Sequence, residues 1–242
     1  MKDNFSHNSA NYSRYRPGYP EALIQFLLQL VKNREVAWDC ATGNGQFATL
    51  LAPYFNRVEA TDISRQQMAE AIQAPNLFYT CTPAEKTDFP SHHFDLVTVA
   101  QAVHWFDFSH FYEEVKRCLK PGGIICITGY GLLRSNNATN MIIDHFYKNI
   151  VGPYWDPERK YLEESYVTIP FPFMEIPSPQ FSMKYCWTLE HLLGYLRTWS
   201  AVNHFQKKQN YDPVEEIAAS LKKSFGAGQE VVFPLLLRVG KK

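Results

Sequence analysis

The chain has 242 residues, and its 24 Lys+Arg are balanced by 24 Asp+Glu. That neutrality argues against a dedicated nucleic-acid or membrane-surface protein, which carries a basic bias. A hydrophobic content of 45% is enough for one α/β domain with an insertion or a cap. The five cysteines, Cys40, Cys81, Cys118, Cys126 and Cys186, are scattered without C-x-x-C spacing, which reads as free thiols in a reducing, cytoplasmic compartment. The sequence reads without a secretory leader or an apolar run of bilayer-spanning length, so no membrane partner is expected. The histidines, His92 and His93 included, show no metal-binding spacing, and no metal is expected.

In chain order, Pro17 and Pro20 hold off any helix until Glu21, after which Ala22–Val31 has amphipathic helical character. The preceding Tyr/Arg segment reads as a lid whose Tyr12 and Arg16 meet a ligand carboxylate, Arg16 through a bidentate fork, or as an arm packed by its aromatics. Val36–Trp38 reads as a short buried strand ended by Asp39. Ala41–Gly45 is a small-residue loop, and Gln46–Leu51 starts a helix. Strand, glycine loop and helix in this order are how α/β folds hold a nucleotide, because glycine lets the backbone approach the ligand. Ala41 stands where a glycine is usual, which matters only if that position needs a positive φ. Asp62 follows the strand-like run Val58–Thr61, where an acid can accept hydrogen bonds from both ribose hydroxyls. Gly43–Ala48 also matches the dinucleotide pattern G-x-G-x-x-G/A. The Asp39 carboxylate beside the loop would repel a pyrophosphate and attract a cationic ligand, so it favours a different cofactor.

Ser64 is placed to cap a helix to Gln73, in which Met68 either packs on an adenine or joins the core. Asn76–Cys81 reads as a third strand. Phe94–Gln101 reads as the central strand, leading into His104, Trp105, Phe106 and Asp107. Ligands in open α/β sheets bind beyond the carboxyl ends of the strands, so His104 and Trp105 are expected beside the reacting groups. Phe111–Leu119 is a helix, Lys120–Gly123 a tight turn, and Ile124–Thr128 a strand. Beyond Tyr130, prolines at 153, 157, 170, 172, 177 and 179 exclude long regular elements between them. A helix is expected over Asn137–Ile150 and a strand over Phe181–Trp187. Thr188 should cap one helix from Leu189 to about Phe205, and Asp212-Pro213 should open another, ending at Gly226–Gly228. Glu230–Val239 reads as the last strand, with Pro234 suiting an edge or a bulge.

The run Asp39-Cys40-Ala41-Thr42-Gly43-Asn44-Gly45, with Leu119-Lys120-Pro121-Gly122-Gly123, resembles class I S-adenosylmethionine (SAM) methyltransferases over most of the chain. A closer likeness, to the trans-aconitate methyltransferase-like group and especially its fungal type, is carried by four pieces. They are Tyr12 with Arg16–Pro20, His104–Phe108, Gly152–Trp155 and Tyr195–Ser200. The resemblance implies an α/β, Rossmann-like class I methyltransferase fold, a mostly parallel twisted sheet with helices on both faces and a C-terminal helical cap insertion. It implies a lid segment at 1–20, a SAM-binding core at 21–130, a cap and substrate region with a late strand at 131–228, and a final strand of the core sheet at 229–242.

It also implies SAM as cofactor, S-adenosylhomocysteine as product, and a small-molecule acceptor, with O-methylation of a carboxylate as the leading reaction. Methylation of a nitrogen, hydroxyl or carbon of another metabolite is the first alternative, a non-catalytic SAM-binding protein the second, and a nicotinamide oxidoreductase the third. The cofactor residues implied are Tyr12, Arg16, Asp39, Ala41, Thr42, Gly43, Gly45, Asp62, Ile63, Met68, Ala84, Glu85, Gln101 and Ala102. Pro83, which lacks an N–H, leaves the adenine edge to Ala84 and Glu85. A carboxylate acceptor is already ionised at neutral pH and needs no base, so the site should offer aromatic walls and a cationic anchor. Tyr130, Tyr154, Trp155 and Trp199, with Trp105, are the expected walls, and Arg159 and Arg197 the expected anchors. His104, Trp105 and Arg197 are the expected catalytic group, His104 orienting the acceptor or serving as base.

Overall fold

In a computed structural model, residues 14–242 are described. An eight-stranded sheet runs through the molecule in the order β3-β2-β1-β4-β5-β8-β6, with β7 paired to β8 off this path. The first five strands are β1 (Val36–Cys40), β2 (Arg57–Asp62), β3 (Leu77–Cys81), β4 (Phe94–Ala100) and β5 (Leu119–Tyr130), all mutually parallel. Strands β1 and β4 are buried along nearly their whole length, as their continuous apolar runs require of parallel strands covered on both faces. Alternation divides β1 between two layers. Ala37 packs with α1 (Glu21–Leu30) and α2 (Gln46–Leu51), while Trp38 and Cys40 face α4 (Phe108–Cys118) on the other side.

The short helix α3 (Arg65–Ala69) follows β2 and is capped by Ser64, whose Oγ accepts from the Gln67 N–H at 3.2 Å. Helix α4 begins earlier than expected, at Phe108, because Asp107 caps it by accepting from the His110 N–H at 3.2 Å. It passes straight into β5. The Lys120–Gly123 segment belongs to that strand as an irregularity in the β4–β5 register, with Gly122 at φ 77°. Strand β8 (Gly228–Lys241) runs antiparallel to β5 through its second half, and β6 (Met174–Ile176) pairs with its last residues. Its first half pairs with β7 (Ser182–Thr188). Pro234 stands at the changeover, where its missing N–H costs no ladder bond to β5 and its carbonyl accepts from Gly131 N–H at 3.0 Å.

The residues between β5 and β8 form a third apolar cluster. It contains α5 (Asn137–His145), continued by a π-helical turn at Phe146–Ile150, and α7 (Leu189–Arg197), α8 (Ser200–Gln209) and α9 (Val214–Phe225), whereas the turn α6 (Lys160–Glu163) packs Leu162 with Trp38 and Phe94. The single helix expected from Leu189 to Phe205 is broken at Thr198–Trp199. The Thr198 hydroxyl takes the Tyr195 carbonyl at 2.6 Å, the Thr198 carbonyl accepts from Arg16 Nη2 at 3.1 Å, and Trp199 turns extended at φ −69°, ψ 136°. The chain thereby changes direction and carries Trp199 into the interior, 3% exposed.

Candidate active site

The order of the sheet reverses between β1 and β4, the switch point at which open α/β folds hold ligands. A solvent-open cavity lies there, walled by the loops that follow β1, β2 and β4. Its floor is the loop after β1. Ala41 and Gly43 have φ 51° and 59°, and Gly45 turns the chain into α2 at φ 84°. A Cβ on Gly45 would lie 2.0 Å from the Tyr79 hydroxyl, so glycine is required there by space as well as by φ. Asp62 ties the loop to β2: Oδ2 accepts from Gly43 N–H and Oδ1 from Ser64 N–H, both at 2.8 Å. Below the loop, Asp39 is 1% exposed and accepts from the hydroxyls of Thr42 and Thr98, both at 2.6 Å. Burial pushes its carboxyl up to about 6 despite those bonds. At the end of β4, Gln101 adopts φ 56°, and its side chain donates to the Tyr130 carbonyl at 3.2 Å.

Of the residues expected around a cofactor, Arg16, Asp39, Ala41, Thr42, Gly43, Asp62, Ile63, Gln101 and Ala102 line this cavity. Gly45 lies just behind it, and Tyr12 lies outside the described residues. Met68, Ala84 and Glu85 are off the wall. In the short α3 it is Gln67 that turns inward. Ala84 is packed among the core residues around Phe94 and Val97, and Glu85 Oε1 accepts from Asp107 N–H at 3.2 Å. The wall also includes Pro17, Tyr19, Asn44, Gln46, Phe47, Ser64, Gln67 and Ala100, which the sequence reading passed over. Most of these are chain neighbours of motif residues, the one signal that could have found them.

A second cavity adjoins the first and shares Arg16, Gln101, Trp105 and Tyr130 with it. Arg16 forms part of the partition, its Nη1 donating to the Tyr130 hydroxyl at 3.0 Å and its guanidinium lying over the Tyr195 ring. The far walls are His104, Trp155, Arg159, Leu162, Tyr195 and Trp199, with Asp156, Gly131 and Ser200. His104 is 5% exposed, with Nδ1 3.4 Å from the Tyr166 hydroxyl. Burial, and then the positive charge of Arg159, push its pKa down to about 3, so the ring is neutral at physiological pH. Tyr166 fits beneath it because position 129 is glycine; a Cβ there would lie 2.6 Å from the Tyr166 hydroxyl. Arg159 is held rigidly. Its Nε donates to the Tyr147 hydroxyl at 2.9 Å, that hydroxyl bonds Glu163 at 2.5 Å, and the guanidinium stacks over Trp155 at 4.5 Å from the ring centre.

Two expected acceptor residues are placed elsewhere. Arg197 is not in this cavity: at the end of α7, beside the helix break, its guanidinium is turned to Asp212 at 2.6 Å and Glu215 at 2.5 Å. Tyr154 also lies off the wall, its carbonyl 3.0 Å from His204 Nδ1 and its hydroxyl accepting from Gln209 at 2.7 Å. Of the two expected anchors, Arg159 lines this cavity and Arg197 does not.

A cavity at a sheet switch point, with an acid closing β2 and a buried acid under the glycine loop, is the arrangement of a nucleoside-cofactor α/β protein. Comparison with known proteins narrows this. A family model for the methyltransferase domain matches residues 38–127. A Dictyostelium discoideum protein described as a methyltransferase is 34% identical over 250 residues, covering 99% of this chain and 95% of its own. A solved structure from Anaeromyxobacter dehalogenans, described as a type II methyltransferase, superposes with a TM-score of 0.87 at 36% identity, covering 94% of this chain and 98% of that one. A Saccharomyces cerevisiae protein described as an S-adenosylmethionine-dependent methyltransferase is 24% identical over 136 residues, 52% of this chain and 47% of its own. The chain belongs to the class I SAM-dependent methyltransferases. The donor set fits that cofactor: acids for hydroxyls and positive charge, and a guanidinium for a carboxylate, with no cationic cluster for a pyrophosphate among the described wall residues. Among the described residues no group of His, Cys, Asp and Glu is arranged to hold a metal ion, and no helix is long and apolar enough to cross a membrane.

Proposed function

We propose that this methyltransferase transfers the SAM methyl group to a carboxylate oxygen of a small-molecule acid. The observation that carries the reading is Arg159, stacked on Trp155 and bonded through Nε to Tyr147, with its remaining fork in the cavity beside the cofactor site. Such a fork matches a carboxylate in two parallel hydrogen bonds.

In this reading Asp62 receives the ribose hydroxyls, Arg16 the amino-acid carboxylate and Asp39 the positive charge. When bound, SAM supplies an electrophilic sulfonium methyl. Arg159 orients the acceptor, and Trp105, Tyr130, Tyr195 and Trp199 exclude water from the line of attack. Neutral His104 can donate or accept a hydrogen bond at the acceptor but carries no charge to compete with the reaction. The test is a panel of small acids with SAM radiolabelled in the methyl group. Carboxyl methyl esters release their label under mild base, whereas N- and C-methyl products retain it. Label stable to base would replace this reading with another acceptor atom.

A further inference from the structure

His104 faces two ways. Its Nδ1 lies 3.4 Å from the hydroxyl of Tyr166, a fully buried side chain, with the two rings inclined by 26°. Its other nitrogen, Nε2, takes no hydrogen bond among the described residues and is not sealed off, so that edge of the ring opens on the acceptor cavity, which His104 lines. The backbone that aims Tyr166 is strained. Ser165 and Tyr166 both adopt the left-handed conformation, at φ 54° and 62°, which a bulky residue rarely takes and which collects at functional sites. Tyr166 is held there by its N–H on the Tyr161 carbonyl at 2.7 Å, and by Arg238 Nη1, which donates to the Tyr166 carbonyl at 3.2 Å and the Ile169 carbonyl at 2.6 Å. A neutral imidazole has one bare nitrogen and one N–H, and the hydrogen bond made by one nitrogen decides which it is. The phenol O–H is a stronger donor than a neutral imidazole N–H, so the nitrogen facing Tyr166 is the bare one. The separation of 3.4 Å is long for such a bond, as it often is where a contact tightens around bound reactants.

Resting on the carboxylate reading above, we infer that Tyr166 is a positioning residue for methyl transfer: its hydroxyl donates to His104 Nδ1, keeps the ring proton on Nε2, and so presents His104 to the acceptor oxygen as a hydrogen-bond donor and not as a base. In the step itself a carboxylate oxygen lone pair forms the O–CH3 bond. The electron pair of the broken S–CH3 bond stays on sulfur, and no proton moves. A donor at Nε2 suits that step, because it fixes an oxygen that is already ionised. A hydroxyl acceptor would need its proton taken, and the Nε2–H tautomer has no lone pair on that edge to take it.

The experiment records long-range proton–nitrogen NMR correlations of the histidine rings in isotopically labelled protein, at neutral pH and without acceptor. Bare and protonated ring nitrogens differ in shift, and His104→Gln assigns the signals. The expected result is one tautomer of His104, with Nδ1 bare and Nε2 protonated, and a Nδ1 shift that changes in Tyr166→Phe as its hydrogen bond is lost. A protonated Nδ1 in the parent, which needs no variant to fold, or a Nδ1 shift that is the same in Tyr166→Phe, would overturn the inference. Kinetics at saturating SAM then use whichever of benzoate, trans-cinnamate, fumarate and citrate is turned over best. Tyr166→Phe should lower acceptor kcat/KM by about tenfold with SAM affinity unchanged, and should lower it no further in a His104→Gln background. Losses that multiply in the double variant would show that Tyr166 does not act through His104, and would overturn the inference as well. Label stable to base, or no labelled acid, would overturn the carboxylate reading instead, and the ring shifts then decide the Tyr166 assignment alone.

Discussion

Ala41 and Gln101, which follow the ends of the neighbouring parallel strands β1 and β4, both sit in the left-handed region, at φ 51° and 56°. Both line the cofactor cavity. Two adjacent strands thus end in backbone that L-residues adopt at a cost of about 1–2 kcal/mol each, strain of the kind that collects at binding sites. Ala41→Gly should therefore stabilise the protein by about 0.5–1 kcal/mol, net of the greater freedom of glycine in the unfolded chain, as read from urea unfolding. Gln101→Gly should gain less, since it forfeits the bond to the Tyr130 carbonyl. A destabilised Ala41→Gly variant would show that the position is not strained.

Asp62 holds the loop and, in the reading proposed here, the cofactor. Asp62→Ala should weaken SAM binding by about 1.5–3 kcal/mol, the range for hydrogen bonds to a charged group. It should also lower stability without ligand, because the N–H groups of Gly43 and Ser64 lose their acceptor. Calorimetric titration and urea unfolding read the two effects separately. Unchanged SAM affinity in a folded variant would remove Asp62 from the cofactor.

The buried Asp39 gives a pH signature. Its carboxyl is raised from 3.8 to about 6 in the folded protein, so its burial costs nothing below about pH 4 and its full amount above about pH 6. Asp39→Asn removes that cost. The stability of the variant relative to the parent should rise between pH 4 and 6, by up to about 3 kcal/mol. Its SAM affinity should be lower at pH 7.5 and should lack the fall expected of the parent as pH drops through about 6. A stability difference that does not vary with pH would place the titration elsewhere.

Much of this site was legible in the sequence because its chemistry is local. The Asp39–Gly45 run, Asp62 at the end of a strand, and His104-Trp105 after the central strand are each fixed by neighbours a few residues away. What was hidden depends on contacts between distant residues. The break at Thr198–Trp199 has no proline or glycine to announce it; it is held by Arg16, 182 residues earlier. Without that break the helix pattern left Arg197 free for a pocket, whereas its place beside the turn gives it to Asp212 and Glu215. Gln67 rather than Met68 faces the cavity because α3 is only five residues long and its register is set by the Ser64 cap. The β6 strand is three residues among prolines, too short for any periodicity.

His104 should not titrate between pH 5 and 8, its pKa having been pushed down to about 3. At saturating SAM, where Asp39 no longer contributes, kcat/KM for the acceptor should show no inflection near 6.5. An inflection there that disappears in His104→Gln would mean that this histidine ionises during turnover.

The most direct measurement of the whole account is the acceptor kinetics of Arg159→Lys beside those of Arg197→Lys, with SAM affinity measured in both. Lysine keeps the charge and loses the planar fork. Arg159→Lys should lower acceptor kcat/KM by about 10- to 100-fold, corresponding to one or two charge-assisted hydrogen bonds, with SAM affinity unchanged. Arg197→Lys should leave both quantities near the parent values. Unchanged acceptor kinetics in Arg159→Lys, with the loss appearing in Arg197→Lys instead, would contradict the account.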